Sequence, residues 1–324
     1  MGYSGTTLDG IIVLDKPENW TSHDVVARTR SIVGTRKVGH LGTLDPIATG
    51  VLPLVIGRAT RLAQFYTRSD KIYDGVVRFG WSTDTYDRAG VPTSEKKDVT
   101  LDQADLERYL EPFRGEFLQI PPPVSAKKVE GRRAYELSRK AVAVELAPVA
   151  VHVYELTVLE IAGSDVHLRA HCSGGTYLRS IAHDLGKALG CGAHLHQLRR
   201  TASSEFEIGQ ARTLAQLELL AAEGRLLDAL VPATDLLPGF PAVFVDELAV
   251  TQIRQGRNFS ASAFRAQPVA RHVKALSRHG ELVAIGEAVL PHVFHPIVVF
   301  CLWLVSPTNV RRNSTGLGAL ALIE

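Results

Sequence analysis

The sequence predicts an α+β fold, a layered domain of strands and helices followed by a smaller β-rich unit, on three observations. Segments that alternate apolar and polar residues interleave with segments whose apolar residues recur at helical spacing. A proline-marked stretch, PATDLLPGFPA, interrupts both patterns between Pro232 and Ala242. Beyond it, from Val243 to about Phe300, short strand-like runs and one helical run are divided by turns at Gln255-Gly256 and His279-Gly280. The full length of 324 residues can bury a sizeable core in such a two-part arrangement.

Taken in order, GIIVLD, ending at Asp15, reads as a strand, and KPENWTS as a turn reaching an N-cap at Thr21 or Ser22. The spacing predicts a helix from there to about Val33, with Val25, Thr29, Ile32 and Val33 on one face. The run VLPLVIG is a buried strand, ATRLAQFY a short helix, and KIYDGVVRFG a strand with Tyr73, Val77 and Phe79 on one face. Thr100 and Gln103 form a capping-box pattern opening the helix LDQADLERYLEPF. The prolines of IPPPVSAKK hold that stretch extended, and a short helix is expected at Arg133 to Lys140. Two long strands follow, VAVHVYELTVLEI and VHLRAHCS. The glycine-led SGGTYLRSIAHDLGKALG is then a helix stopped at Gly190, and Leu214 to Ala222 is another.

Composition narrows the function class. Hydrophobic residues at 45% and charged residues at 22% exclude disorder and fibrous repeats. A net charge of +2 gives no global affinity for nucleic acid, so any basic surface is local. Between Lys16 and Arg61 it is: Lys16, Arg28, Arg30, Arg36, Lys37, Arg58 and Arg61 face only Glu18, Asp24 and Asp45. Three cysteines, Cys172, Cys191 and Cys301, show no paired spacing and fit a reducing compartment. The start MGYSGTTLDG has no signal-peptide pattern, and the apolar run Pro296 to Val305 is about half the roughly 20 residues a membrane helix needs. A cytoplasmic protein with no membrane partner is expected.

Chemistry concentrates in GHLGTLDPIATGVLPLVIG, Gly39 to Gly57. Gly39, Gly42 and Gly50 free the backbone and Pro46 fixes it, so the loop is built to hold one acid, Asp45. An Asp-Pro pair by itself also starts ordinary turns. A second glycine-rich element, SGGTYLRS, presents Tyr177 and Arg179 at a helix start, and an arginine beside Asp45 would lower its pKa and keep it ionised. Tyr73 and Tyr177 could equally be core aromatics, and Arg199-Arg200 a solvated charge pair. Cys191, His194 and His196 offer only three ligands in CGAHLH, and the histidines read better as one strand face than as a metal site. No GxxxxGK[ST] or GxGxxG pattern opens a helix, so no nucleotide cofactor is expected.

Together these residues resemble the tRNA pseudouridine-55 synthases of the bacterial TruB type. The resemblance rests on DKP at Asp15 to Pro17, GHLGTLDPIATGVLPLVIGRATR, DKIYDG, TDTYDRAG at Thr83 to Gly90, PPPVSAKKVEGRRAYELSR, HCSGGTYLRSIAHDLG and LGCGAHLHQLRR. These blocks span about Gly10 to Arg200 in family order; Leu41 stands where threonine is usual. The resemblance implies a pseudouridine synthase fold with a central mixed, mainly antiparallel sheet flanked by helices and loops over residues 1–238. It also implies a PUA-like RNA-binding domain over 239–300, while residues 301–324 match nothing in the family.

The implied reaction is the isomerisation of uridine 55 in the tRNA T-loop to pseudouridine, after the base is flipped out, with no cofactor and no metal. Asp45 would be the essential carboxylate, attacking sugar or base or taking the C2′ proton. Arg179 would pair with it, and Tyr73 would stack on the uracil. Leu198 would pack on the base, Tyr177 support the pocket, and His40 fill the space left among the T-loop bases. Lys16, with the other bases up to Arg61 and with Lys127 and Lys128, would contact phosphates. The implied partner is the tRNA T-arm, with no protein partner required, and a monomer is expected. Two rivals differ in class: an RNA-binding or tRNA-folding protein acting mainly without catalysis, and a general hydrolase using Asp45 and His40. The Asp45, Tyr73 and Arg179 set opposes the first, and the lack of a nucleophile elbow opposes the second.

Overall fold

The computed structural model describes residues 8–124, 128–129, 132–133, 146–260 and 270–300, with backbone alone at 128–129 and 132–133. Of the helix expected at Arg133 to Lys140 only Arg133 is described, and its backbone pairs as strand with Lys128; residues 134–140, the side chains of Lys127 and Lys128, Cys301 and the segment 301–324 lie outside the described residues. The chain divides into two compact units, Met1–Phe240 and Pro241–Glu324.

In the first unit, β1 (Gly10–Lys16) leads through α1 (Ser22–Val33) and β2 (Val38–His40) to β3 (Ala48–Ile56). A 3₁₀ helix, Gly57–Tyr66, precedes β4 (Lys71–Phe79), α2 (Gln103–Leu110) and β5 (Gly115–Gln119). Then come β6 (Val149–Ala162), β7 (Asp165–Cys172), α3 (Leu178–Ala188), β8 (Ala193–Ser203), α4 (Leu214–Ala222) and β9 (Leu230–Pro232). One sheet runs β9-β1-β3-β8-β4-β7-β6-β5, with β2 added on β3 and Phe206–Glu207 on β8. Only β3 and β8 pair in parallel, so the sheet is mixed and mainly antiparallel as expected.

The alternation of each strand decides its faces. Ile12 and Leu14 of β1, Tyr73, Val77 and Phe79 of β4, and Leu168 and Ala170 of β7 join the core that Val25 of α1 and Ile181 and Leu185 of α3 cover. Their neighbours turn to the opposite face and carry ion pairs, Asp15 with Arg199, Asp74 with Arg169 and Arg78 with Asp165. Helix α1 starts where Thr21 and Asp24 complete a capping box and stops at Gly34 in the left-handed region.

One local expectation is corrected and another is refined. Asp102 rather than Thr100 caps α2, because its carboxylate accepts the N–H groups of both Ala104 and Asp105. The short helix expected at ATRLAQFY is present and winds as 3₁₀, with hydroxyl-to-carbonyl bonds three residues back at Thr60 and Thr67.

Gly50 marks where β3 meets β8. Its φ is 99°, and a Cβ there would stand 2.2 Å from the carbonyl oxygen of Arg200. Gly39 differs: a Cβ would meet only Val55, at an ordinary 3.5 Å. We therefore expect Gly50→Ala to cost about 3 kcal/mol through overpacking and strain, and Gly39→Ala to be near neutral in the same urea titration.

The second unit is a five-stranded sheet ordered β10 (Ala242–Val245), β12 (His272–Ser277), β13 (Leu282–Leu290), β14 (Val293–Val299) and β11 (Phe259–Ser260). Helix α5 (Glu247–Arg254) closes its core through Val250 and Ile253 against Val273, Ala275 and Phe294. Gly256 and Gly280 take positive φ at the two expected turns.

Candidate active site

The loop between β2 and β3 is fixed from several directions, which is what makes one carboxylate addressable. The Ser22 hydroxyl donates to the Leu44 carbonyl at 3.1 Å and accepts the Leu44 N–H at 2.9 Å. The Pro46 carbonyl accepts the Asn19 N–H at 2.8 Å, and the Ala48 N–H closes a turn onto the Asp45 carbonyl at 3.0 Å. From β8, Arg200 donates to the carbonyls of Val51 at 2.7 Å and Gly42 at 3.1 Å.

Asp45 meets Arg179 from α3. Arg179 Nη2 donates to Asp45 Oδ1 at 3.1 Å, and Nε lies 2.9 Å from Oδ2. The Arg179 side chain is 5% exposed and that of Asp45 32%, so the arginine is sealed while the acid, otherwise enclosed, keeps one side open to a cavity. A cation in the first turn of a helix opposes the helix dipole, a local rule broken where tertiary contacts require it. Arg179 also donates to the carbonyls of Thr85 at 3.1 Å and Val124 at 2.9 Å. Asp87 completes the group, with Oδ2 3.6 Å from Arg179 Nη1.

Asp87 was legible as part of TDTYDRAG but drew no separate reading. Its aim depends on tertiary stitching: Leu195 of β8 donates to the Tyr86 carbonyl at 2.9 Å and accepts from Arg88 N–H at 3.0 Å. Tyr86 is held at φ 64°, with its ring 3.7 Å from that of His183.

A cavity of about 220 Å³ opens beside Asp45, lined among others by Tyr73, Tyr177, Arg179, Leu198, Lys71 and Arg200. Tyr73 is buried on the β4 face that looks into it, and Leu198 enters from β8. Tyr177 stands at the α3 N-terminus, its backbone clasped by the Gln119 amide, which accepts the N–H at 2.8 Å and donates to the carbonyl at 3.1 Å. The structure therefore brings Asp45, Tyr73, Tyr177, Arg179 and Leu198 together.

His40 does not line this cavity; it sits at the end of β2, 5.7 Å from the His23 ring, and accepts the Gly42 N–H at 3.3 Å. Lys16 is corrected. It is fully buried and its ammonium donates to the carbonyls of Pro17, Trp20 and Pro46 at 2.9, 2.6 and 3.3 Å, which leaves no proton for a phosphate. It fastens the Asp45 loop instead. Of the alternatives left open for Arg199-Arg200, the solvated charge pair does not hold for Arg200, which is 1% exposed. The basic excess is partly spent internally, since Arg28 pairs with Glu218 and Arg58 with Asp9. His194 is buried, its Nδ1 3.2 Å from the Trp81 carbonyl, and no cluster of three metal-ligating side chains occurs among the described residues.

Burial pushes the Asp45 carboxyl above its ordinary value; Arg179 pulls it back and Asp87 adds to the rise. The net direction is upward, against the lowering that the arginine alone suggested, because removal from water outweighs the ion pair. Burial also raises the Tyr73 phenol. If Asp45 acts as a carboxylate, the acid limb of kcat/KM should fall at a higher pH than a free aspartate's roughly 3.9, since protonation begins sooner. A pH–rate profile of the wild-type protein checks this.

Residues 30–178 match the TruB family pseudouridylate synthase N-terminal domain, and residues 179–237 the tRNA pseudouridylate synthase B C-terminal domain. The chain is 71% identical to a tRNA pseudouridine synthase B of Solibacter usitatus (strain Ellin6076), over 90% of its own length and 100% of that protein. It is 39% identical to the tRNA pseudouridine synthase B of Dechloromonas aromatica (strain RCB), over 86% and 91%. Among solved structures, an H/ACA RNP bound to a substrate RNA containing 2′-deoxyuridine matches at 27% identity and TM-score 0.67, covering 91% of this chain and 86% of that one. A Cbf5-Nop10-Gar1 complex matches at 29% and 0.65, covering 87% and 78%. With the two matched regions spanning most of the first unit and the Asp45 and Arg179 pair inside them, the chain belongs to the TruB family of pseudouridylate synthases.

Proposed function

We propose that this protein isomerises uridine 55 in the T-arm of tRNA to pseudouridine. The pairing of Asp45 with Arg179 at the mouth of a nucleobase-sized cavity carries the reading. Asp45 is the essential carboxylate, and Arg179 orients it and favours its charged form. Tyr73 stacks on the uracil, Leu198 packs against it, and Tyr177 supports the wall. The flipped nucleotide leaves a gap in the T-loop that His40 fills, offsetting the few kcal/mol of unstacking. Residues 1–238 form the catalytic domain and residues 239–300 a PUA-like RNA-binding domain. The enzyme acts as a monomer in the cytoplasm, without cofactor or protein partner, and light scattering reads the oligomeric state. No described helix is long and apolar enough to cross a membrane.

The test is a T-arm transcript carrying uridine tritiated at C5. Isomerisation exchanges that tritium into water in proportion to pseudouridine formed, and a transcript with cytidine at position 55 releases none. Tight binding without release would favour a purely RNA-binding protein and overturn the proposal.

A further inference from the structure

Lys71 and Arg200 are buried cations at 7% and 1% exposure, and both line the Asp45 cavity. The ion pairs nearby join Arg179 to Asp45 and Asp87, and Arg199 to Asp15; Lys71 and Arg200 enter none among the described residues. Enclosing two like charges that enter no ion pair is costly, and Arg200 recovers part of that cost through the Val51 and Gly42 carbonyls and a side-chain hydrogen bond with Tyr73. Lys71 Nζ bonds the backbone carbonyl and the hydroxyl of Ser69, and so has one further proton to give. Its stem passes close to Gly42, where a Cβ would come within 3.7 Å of Lys71 Cε. Lys71 shares its strand face with Tyr73 two residues on. A site with two buried cations that enter no ion pair among the described residues, beside the base-stacking wall, is built for an anion that arises there.

Resting on the proposed isomerisation, we infer that Lys71, backed by Arg200, forms the anion site that stabilises negative charge on the uracil ring during base transfer. When N1–C1′ breaks, its electron pair leaves on the uracil and spreads over N1, O2 and O4. The same ring then forms C5–C1′, loses the C5 proton and gains one at N1. Addition of Asp45 to the ring would likewise place charge on a carbonyl oxygen, so the site serves either route. A phosphodiester is the other anion available, but it would remain on the backbone outside, whereas Lys71 and Arg200 are buried and line the same cavity as Tyr73 and Leu198. Fixed cations that need no reorganisation are effective for charge that develops in a buried site.

Burial lowers Lys71 to about 8, with Arg200 of β8 lowering it further and Cys172 of β7 and Asp70 opposing. A lysine of that acidity titrates within the working range, which supplies the readout. Single-turnover rates on the T-arm transcript should fall on the order of 100-fold in Lys71→Met at neutral pH. Lys71→Arg should stay within about tenfold of wild type and lose the basic limb near pH 8, since arginine does not titrate there. Both variants should bind the transcript with unchanged Kd and unchanged salt dependence. If Lys71→Met turns over at the wild-type rate, or the basic limb persists in Lys71→Arg, the inference fails. A salt slope lowered by about one would instead make Lys71 a phosphate contact and also overturn it. Should Lys71→Met not fold, the pH profile of Lys71→Arg decides. Wild-type protein that releases no tritium would sink the isomerase reading itself, which is a different outcome from active wild type with indifferent variants.

Discussion

Asp45→Asn should bind the T-arm transcript within about threefold of wild type and yet lose tritium release by at least about 10⁴-fold, as loss of an essential carboxylate implies. The substitution keeps volume and leaves the loop's own supports in place, because the bonds that fix it use Leu44, Pro46, Ala48 and the Asp45 carbonyl rather than its carboxylate. What it removes is the negative oxygen beside Arg179. Every route open to Asp45, whether attack on sugar, attack on base or removal of the C2′ proton, needs that oxygen. Product at the wild-type rate would end the mechanism; weak binding with weak turnover would show that the loop had moved instead.

Arg179→Met should be the most damaging substitution for stability and activity together. It leaves Asp45 and Asp87 facing each other and strips a donor from the Thr85 and Val124 carbonyls. Breaking one side of such an enclosed network costs about 3 kcal/mol, visible as a lower urea midpoint. Two further results separate charge from packing. Arg179→Met combined with Asp45→Asn should be more stable than Arg179→Met alone, because the unpaired carboxylate is gone. Arg179→Lys should fold but turn over slowly, with its acid limb moved to higher pH. An ammonium cannot match the planar fork, so Asp45 loses part of the influence that holds its pKa down. Additive destabilisation in the double variant would show that Arg179 acts by packing alone.

Much of the fold was legible because its signals are local. The N-cap at Thr21 or Ser22, the apolar spacing up to Val33 and the alternation of KIYDGVVRFG each reside in a few adjacent residues, and α1 and β4 formed where they pointed. The failures were also local in kind. Thr100 and Asp102 both offered a cap, and the competition was decided by which oxygen reached two backbone N–H groups. At the site, Asp45, Tyr73 and Arg179 were visible as residue types in telling surroundings, whereas Asp87, Lys71 and Arg200 were not singled out. Nothing in Arg199-Arg200 tells which arginine enters the core; the strand's register does, turning Arg199 to Asp15 and Arg200 to Gly42. Lys16 misled for the same reason, since a lysine read as a phosphate contact is enclosed by three carbonyls contributed from two segments.

The sequence by itself determined the main strands and helices, the loop that holds Asp45 and the family to which the chain belongs, because periodicity, capping and short motifs are written in neighbouring residues. Only the tertiary structure decided which charges are partners. Asp45 and Arg179 are 134 positions apart, and the parallel pairing of β3 with β8 is what carries Arg200 to the Asp45 loop. It also decided the direction of Asp45's pKa, since burial is a property of everything packed around a carboxylate and the residues beside it in the chain do not contain it.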